Sequence, residues 1–254
     1  MKPSRGSARR PEPAPEPASS AVTATAVPST PAATGPTRAY RGESAEARQQ
    51  QRREKLLEAA LDAFAKHGYN RATMRDICAG ARLSERYFYE SFRNTSDAFE
   101  AVYDGLTRLM WARIQTARSQ AEPDFEAVSE AGLRSFFSFI QEDPRRARVM
   151  LVDAIQIHHS ELPRAEAVVR SFVDLITSAV GPLTSRAPIH ANPRLIAHGL
   201  VGMTIHLATG WWLSHFREPL DDVVAHAMYA WRGLVVWLDA PEQKAPAQRP
   251  KTRR

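Results

Sequence analysis

From residue 52 to residue 240 the large apolar residues recur every third or fourth position, and no stretch alternates as a strand would. A chain with that period buries its apolar side by forming helices and packing them on one another. Leu56, Leu57, Ala60, Leu61 and Phe64 mark one helical face; Val102, Leu106, Leu109, Met110 and Ile114 continue the period after Ser96. Further helices are expected near 124–142, 144–158, 163–180, 193–215 and 220–239. Pro123, Pro144, Pro163, Pro182, Pro188, Pro193 and Pro219 sit at or near their starts, where a missing N–H costs least. The fold class is all-α.

The two ends read differently. Residues 1–47 are rich in Pro, Ala, Ser and Thr, and 241–254 are short, polar and basic. Neither has the apolar residues to offset ordering entropy, so both are expected to be disordered tails. Of the net charge of +6, the excess of Lys and Arg falls in the tails and in 48–94, where they outnumber Asp and Glu ten to six. Over 95–240 the balance reverses, thirteen to seventeen. A basic head on an acidic body is the charge pattern of a nucleic-acid-binding protein.

A lone cysteine, Cys78, excludes an internal disulfide framework and a cysteine-based zinc site. The first residues are charged, without the apolar core of a signal peptide. The longest apolar stretch, 199–213, is interrupted by His206 and shorter than the ~20 residues of a membrane span. The expectation is a cytoplasmic protein without a membrane segment.

Within 52–99 three short helices are legible. The first, Arg52 to His67, stops at Gly68. Thr73 caps a second that runs through Ala81, with Asp76 three residues on completing a capping box. After a tight turn at Arg82-Leu83, Ser84 caps a third through Phe92. Phe88 and Phe92, four apart, share the inward face, while Glu85, Arg86, Tyr87, Tyr89 and Glu90 point outward. Two short helices joined by a tight turn, the second displaying polar and aromatic side chains, form a helix-turn-helix (about 73–92) whose second helix fits the DNA major groove.

The stretch 48–110 resembles the DNA-binding domain of the TetR family of transcriptional regulators. The resemblance rests on Phe64…Gly68, Thr73…Ile77, Ala81, Leu83-Ser84, Phe88-Tyr89, Phe92 and Phe99 at fixed spacing. Departures from the family pattern are Arg82 for the usual turn glycine, Cys78 for Ala, Ser91 for His or Tyr, and Thr95 for Lys, the last removing one phosphate contact. The resemblance implies a DNA-binding domain over 48–95 and a helical effector-binding and dimerisation domain over 96–240, with dimerisation through about 193–240. It also implies that the protein binds a palindromic operator in double-stranded DNA as a homodimer, as a repressor released by a small effector. Transferred by position, Tyr89 contacts a phosphate, Ser84 caps the helix and touches the DNA backbone, and Glu85, Arg86, Tyr87 and Glu90 face the groove. Arg86 is the candidate for guanine, whose O6 and N7 match its planar fork. Arg52, Thr73, Arg75, Arg82, Asn94 and Thr95 complete the DNA-facing set.

The body is less specific. The segments 193–216 and 220–240 carry more apolar residues than one core-facing stripe needs, which calls for a second burial partner. Met110, Trp111, Phe136, Phe137, Met150, Met203 and Trp211 are of the kind that lines a cavity for a hydrophobic effector, and equally of the kind that fills a core. His158, His159 and Glu161 are poorly spaced for one metal ion, because adjacent helical residues diverge by about 100°; no metal or cofactor is expected. His206, on an apolar helix, is expected to be buried. A DNA-binding scaffold governed by a protein partner remains an alternative. An enzyme is the third reading, but no phosphate-binding glycine loop or nucleophile elbow supports it.

Overall fold

The computed structural model describes residues 44–154, 163–185 and 191–239. Most of the expected N-terminal tail, the C-terminal tail, and His158, His159 and Glu161 lie outside the described residues. Among the described residues there are helices and no strands. They are α1 (Ala45–His67), α2 (Met74–Ala81), α3 (Glu85–Ser91), α4 (Thr95–Gln120), α5 (Phe125–Glu142) and α6 (Pro144–Ala147). A π-helical turn (Arg148–Asp153) follows, then α7 (Pro163–Thr184), α8 (Pro193–Leu213) and α9 (Leu220–Asp239).

The first helix begins earlier than the sequence suggests, inside the segment assigned to the tail. Ser44 caps it, its hydroxyl oxygen accepting from Ala47 N–H at 3.1 Å, and a mostly polar stretch carries it about three turns before the apolar face begins at Leu56. It ends at Gly68, whose φ of 78° lies in the left-handed region. A side chain at this position would also collide: a Cβ would sit 2.5 Å from the Arg148 guanidinium.

Phe64, Phe88 and Phe99, all fully buried, anchor the three-helix head on the start of α4. Phe64 and Phe99 meet edge to face at 5.0 Å, and Tyr69 closes on Phe99 at 4.9 Å. Small residues let α1 and α2 approach: a Cβ on Gly80 would stand 3.1 Å from that of Ala59.

In its described part, 144–154, the helix expected over 144–158 is a single α-turn followed by the π-turn, a register change that apolar spacing does not reveal. Its start is a cluster of ion pairs. Arg145 binds Asp143 at 2.8 Å and reaches Glu58 at 2.7 Å and Asp62 at 2.6 Å on α1. The π-turn then offers Asp153, 4% exposed, to the Tyr69 backbone N–H at 3.2 Å and to Arg148 at 3.4 Å.

Pro123, Pro144, Pro193 and Pro219 stand at helix starts as expected, but Pro182 lies inside the last turn of α7. The helix continues two residues past it, and the Thr184 and Ser185 hydroxyls both donate to the Gly181 carbonyl at 2.9 Å. One segment of α7, residues 167–184, is long and apolar enough by composition to cross a membrane, so the apolar stretch at 199–213 is not the strongest of this kind. Its apolar residues Phe172 and Ile176 pack against the main core. His206 is exposed rather than buried, because it shares an outward stripe of α8 with Leu195, Gly199 and Gly202.

Two outcomes follow from these local geometries. Arg82 ends α2 at φ 54°, a left-handed conformation that glycine adopts more cheaply. Arg82→Gly is expected to raise unfolding free energy in urea by about 1 kcal/mol; no gain would mean that the arginine side chain offsets the strain. The hydrogen bonds from Arg145 hold the Asp143 carboxyl below its ordinary 3.8. A carboxyl with a depressed native value contributes stability above the unfolded value and loses it as pH falls through the native one. The wild-type protein should therefore lose stability more steeply below pH ~4 than Asp143→Asn does, as read by urea midpoints across an acid series.

Candidate nucleic-acid interface and effector cavity

The helix-turn-helix is built as the spacing requires. Thr73 Oγ1 accepts from Asp76 N–H at 3.2 Å while Asp76 accepts from Thr73 N–H at 2.9 Å. The Asp76 carboxyl is pulled below its ordinary value by the Thr73 hydroxyl and then by the Thr73 N–H. The turn closes with Leu83 N–H donating to the Cys78 carbonyl at 3.0 Å. Ser84 has the extended backbone of a cap, but its hydroxyl makes no capping bond. The expected capping role of Ser84 is corrected in that respect: α3 starts on backbone geometry, and the hydroxyl is left for other partners.

On α3 the fully buried Phe88 turns inward, and its neighbour Tyr89 is 60% exposed. Glu85, Arg86 and Glu90 are exposed with it, while Tyr87 is half-buried under the Arg52 guanidinium, 4.6 Å above its ring. Arg52 and Tyr87 thus form one stacked unit that links α1 to α3. Arg86 Nε donates to Glu90 at 3.1 Å, and Arg75 on α2 lies 3.8 Å from Glu85. Such exposed pairs contribute little stability but limit the directions these arginines sample. Arg82 is exposed on the turn, and Arg93 is held by Asp97 at 3.1 Å. Asn94 is committed to capping α4, its Oδ1 accepting from Asp97 N–H at 2.8 Å, and Thr95 opens that helix, half-buried. The DNA-facing candidates therefore gather on α2, the turn, α3 and the adjoining ends of α1 and α4.

The body holds a half-open cavity of about 720 Å³ between α4, α5, the π-turn, α7, α8 and Trp231 of α9. Met110, Phe136 and Met150 line it, as expected. The other four aromatic and methionine candidates do not. Trp111 stacks edge-on against Phe172 at 5.0 Å. Phe137 is fully buried against Phe136 and Trp211. Trp211 is core, with its Nε1–H spent on the Glu218 carbonyl at 2.9 Å and its ring on Phe216 at 4.8 Å. Met203 instead lines a separate groove of about 490 Å³ between α8 and α9, with Ile196, Gly199, Gly233, Leu234 and Trp237.

Sequence reasoning missed the polar part of the wall, which includes Arg118, Ser129, Thr204 and Trp231, and the α7 stripe Val168, Phe172, Leu175, Ile176 and Ala179. The stripe has readable helical spacing; nothing in the spacing marks the polar residues as convergent. Tyr103 also lines the cavity, and burial pushes its phenol up to about 12, so it is neutral there. Among the described residues no cluster of histidine, cysteine and carboxylates is placed to hold a metal ion.

Comparison with known proteins agrees with this geometry. Residues 56–102 match the family described as bacterial regulatory proteins, tetR family. The chain is 28% identical over 189 residues to the HTH-type transcriptional activator FasR of Mycolicibacterium smegmatis, covering 72% of this chain and 83% of that one. It is 27% identical over 183 residues to the HTH-type transcriptional repressor AcnR of Corynebacterium glutamicum, covering 66% and 88%. Its fold is similar to that of the transcriptional regulator FadR from Bacillus subtilis, with a TM-score of 0.63 at 15% identity over 72% of this chain and 98% of the other. Residues 56–102 thus match the tetR family's DNA-binding region, and the helix-turn-helix and all-helical body are similar to those of these transcriptional regulators.

Proposed function

We propose that this protein is a ligand-responsive regulator that binds a palindromic operator as a homodimer and leaves it when a small amphipathic effector fills the cavity. The observation that carries this reading is that one short element belongs to both sites. Met150, Leu151 and Ala154 line the cavity, and Asp153, between them, accepts the backbone N–H of Tyr69 at the base of the helix-turn-helix. An occupant that pushes on the π-turn therefore acts on the α1–α2 connection, and through it on the spacing of the two heads. The cavity volume lies within the range of ligand sites, which favours an effector over a scaffold without one. The solved FadR of Bacillus subtilis was obtained in complex with stearoyl-CoA, which supports an effector with a long apolar part.

Dimerisation is supported by the outward faces of α8 and α9. Leu195, Leu213, Tyr229 and Val236 are each at least 60% exposed, and the groove holding Met203 and Trp237 runs between them. Added Cβ atoms on Gly199, Gly202 and Gly233 would meet nothing within 4 Å, so a second copy has room to approach closely. Two heads about 34–36 Å apart then read successive major grooves.

In this reading Tyr89 and Ser84 meet the phosphate backbone, Arg86 reads a base, and Glu85, Tyr87 and Glu90 shape the groove-facing surface. Arg52, Thr73, Arg75, Arg82, Asn94 and Thr95 flank it. Repression is the primary mode, as in AcnR; the activator FasR supplies the second reading. Selection of genomic DNA fragments by the purified protein, with Tyr89→Ala alongside, tests the proposal. An enriched palindrome that the variant loses supports it, and no enrichment at moderate salt counts against it. A reporter placed behind that palindrome distinguishes repression from activation.

Tyr89→Phe is expected to weaken binding to all sequences alike, because a phosphate contact carries no base information. Arg86→Ala should cost ~1–3 kcal/mol and relax preference at one position per half-site. Titrations on a library of single-base operator variants check both, and the roles are wrong if the two patterns are exchanged. Asp153→Asn should keep operator affinity within a few-fold but reduce the release caused by effector. Full release in that variant, measured by fluorescence anisotropy of labelled operator, would remove the π-turn from the coupling route.

A further inference from the structure

Between its Ser44 cap and its first buried residue, Leu56, helix α1 runs for eleven residues with almost nothing to pack against. Residues 44–51 are exposed on every side, and only Arg52 and Arg53 are half-buried. A helix that is polar all round gains nothing from core burial and stands only where local pairs or an outside partner hold it. The Ser44 cap and a hydrogen bond from Gln50 Nε2 to Glu54 at 2.8 Å supply the local part. Over Ala45–Lys55 basic residues outnumber acidic ones four to two, and the two signs are segregated around the helix.

Arg48 and Arg52, four apart, share one face. Neither has a carboxylate partner among the described residues, whereas Arg75, Arg86 and Arg93 of the same head pair with Glu85, Glu90 and Asp97. The carboxylates of α1 stand elsewhere. Glu54 and Glu58 lie about 200° and 240° round the helix from Arg52, and Glu58, with Asp62, is taken by Arg145. Arg52 is held by its stack on Tyr87, 4.6 Å from the ring centre. A guanidinium laid on a ring is fixed in place with its edge N–H groups still available. Tyr87 belongs to α3, so the stack ties the basic face of α1 to the helix that fits the major groove. Arg48 stands one turn, about 6 Å, beyond it. Arg53 points about 100° away and lies over the buried Phe92 ring at 5.0 Å, a packing contact within the head.

We propose that the first turns of α1 are a second DNA-contact element, in which Arg48 and Arg52 meet backbone phosphates beside the base pairs that α3 reads. The inference rests on the head being the DNA-binding element and adds an anchor outside the helix-turn-helix. These contacts carry no base information; they add affinity and fix how the head sits on the duplex. The stack gives Arg52 a positioning role as well: a phosphate that fixes its guanidinium also fixes Tyr87, and with it the lie of α3 in the groove. It further accounts for a helix that runs three turns past its own core, since the outside partner is the duplex.

The test uses the full-length protein and a fluorescein-labelled duplex of arbitrary sequence, because phosphate contacts need no operator. Affinity is read by anisotropy over about a fourfold range of KCl concentration. Each phosphate contact adds about 0.9 to the slope of log affinity against log salt, so Arg48→Gln with Arg52→Gln should flatten that slope by about 1.8 per bound head. Arg52→Lys keeps the charge and should keep the slope, weakening binding only a few-fold through loss of the stack. Lys66→Gln, which removes a charge from the same helix about 27 Å from Arg48, should leave the slope unchanged. On a palindrome recovered by the selection above, hydroxyl-radical protection outside each half-site should vanish in the double variant. An unchanged slope in the double variant, equal flattening per charge by Lys66→Gln, or retained flanking protection overturns the proposal while leaving α3 as the DNA reader. Wild-type protein that binds no duplex even at the lowest salt sinks the DNA-binding reading of the head, and this inference with it.

Discussion

Asp153 is a carboxylate 4% exposed to solvent, and burial pushes its titration upward against the opposing pull of Arg148. A charge so placed persists only while its partners stay where they are, because losing one leaves an uncompensated buried ion. Its partners are the Arg148 side chain, five residues earlier in the same π-turn, and the Tyr69 N–H, 84 residues earlier in the chain. Much of the local design follows from this requirement. The π-turn widens the helix to present Asp153 beside Arg148. Gly68 holds a φ of 78° that favours glycine, and the Arg148 guanidinium lies in the space where a Cβ would stand. The α1–α2 connection runs directly over the junction, so the position of the helix-turn-helix depends on it.

A second connection runs in parallel. Helix α4 has 26 residues, about 39 Å of continuous helix. Its first turns carry Ala98, Phe99 and Val102 in the core of the head, and Met110, Ile114 and Arg118 line the cavity. A helix cannot shift at one end without carrying its whole length, and interiors packed to crystal density transmit such shifts rather than absorb them. The Arg145 cluster on Glu58 and Asp62 adds a third tie, between α6 and the middle of α1. Head and body thus meet through three kinds of contact: a buried carboxylate, a shared rigid helix and a more exposed ion-pair group.

The head was legible in the sequence because its signals are local. Thr73 and Asp76 cap within three residues, Phe88 and Phe92 lie one turn apart, and each pairing can be checked against helical geometry without knowing the fold. Even there, the actual start of α1 at Ala45 was hidden, since polar residues carry no periodic mark, and Ser84 did not make its side-chain cap. The cavity was only half legible for a different reason. Trp111, Phe137 and Trp211 are chemically indistinguishable from Met110, Phe136 and Met150 as candidates, and what separates core from lining is where α7 and α9 come to lie. The junction at Asp153 was invisible, because a pairing across 84 residues leaves no trace in spacing, and a π-turn is one residue per turn away from an ordinary helix.

Helix α8 presents the same ambiguity twice, and the ambiguity has physical content. Val201, Thr204 and Ile205 face the cavity, while Ile196, Gly199, Leu200 and Met203 line the outer groove. One helix is apolar on two faces, one lining the cavity and the other an outward groove that a second copy would cover in the proposed dimer. That explains why Met203 reads as a cavity residue yet faces the groove: successive helical residues turn about 100°, enough to carry a side chain from one space to the other. It also means that filling the inner space and closing the outer one act on a single rigid body. In the proposed dimer, a displacement of α8 by an occupant of the cavity would change the surface on which the second copy packs, a second route beside the π-turn by which effector binding would act on head spacing. The glycines on its outer face make that link sensitive, because close backbone approach tolerates little movement before contact is lost.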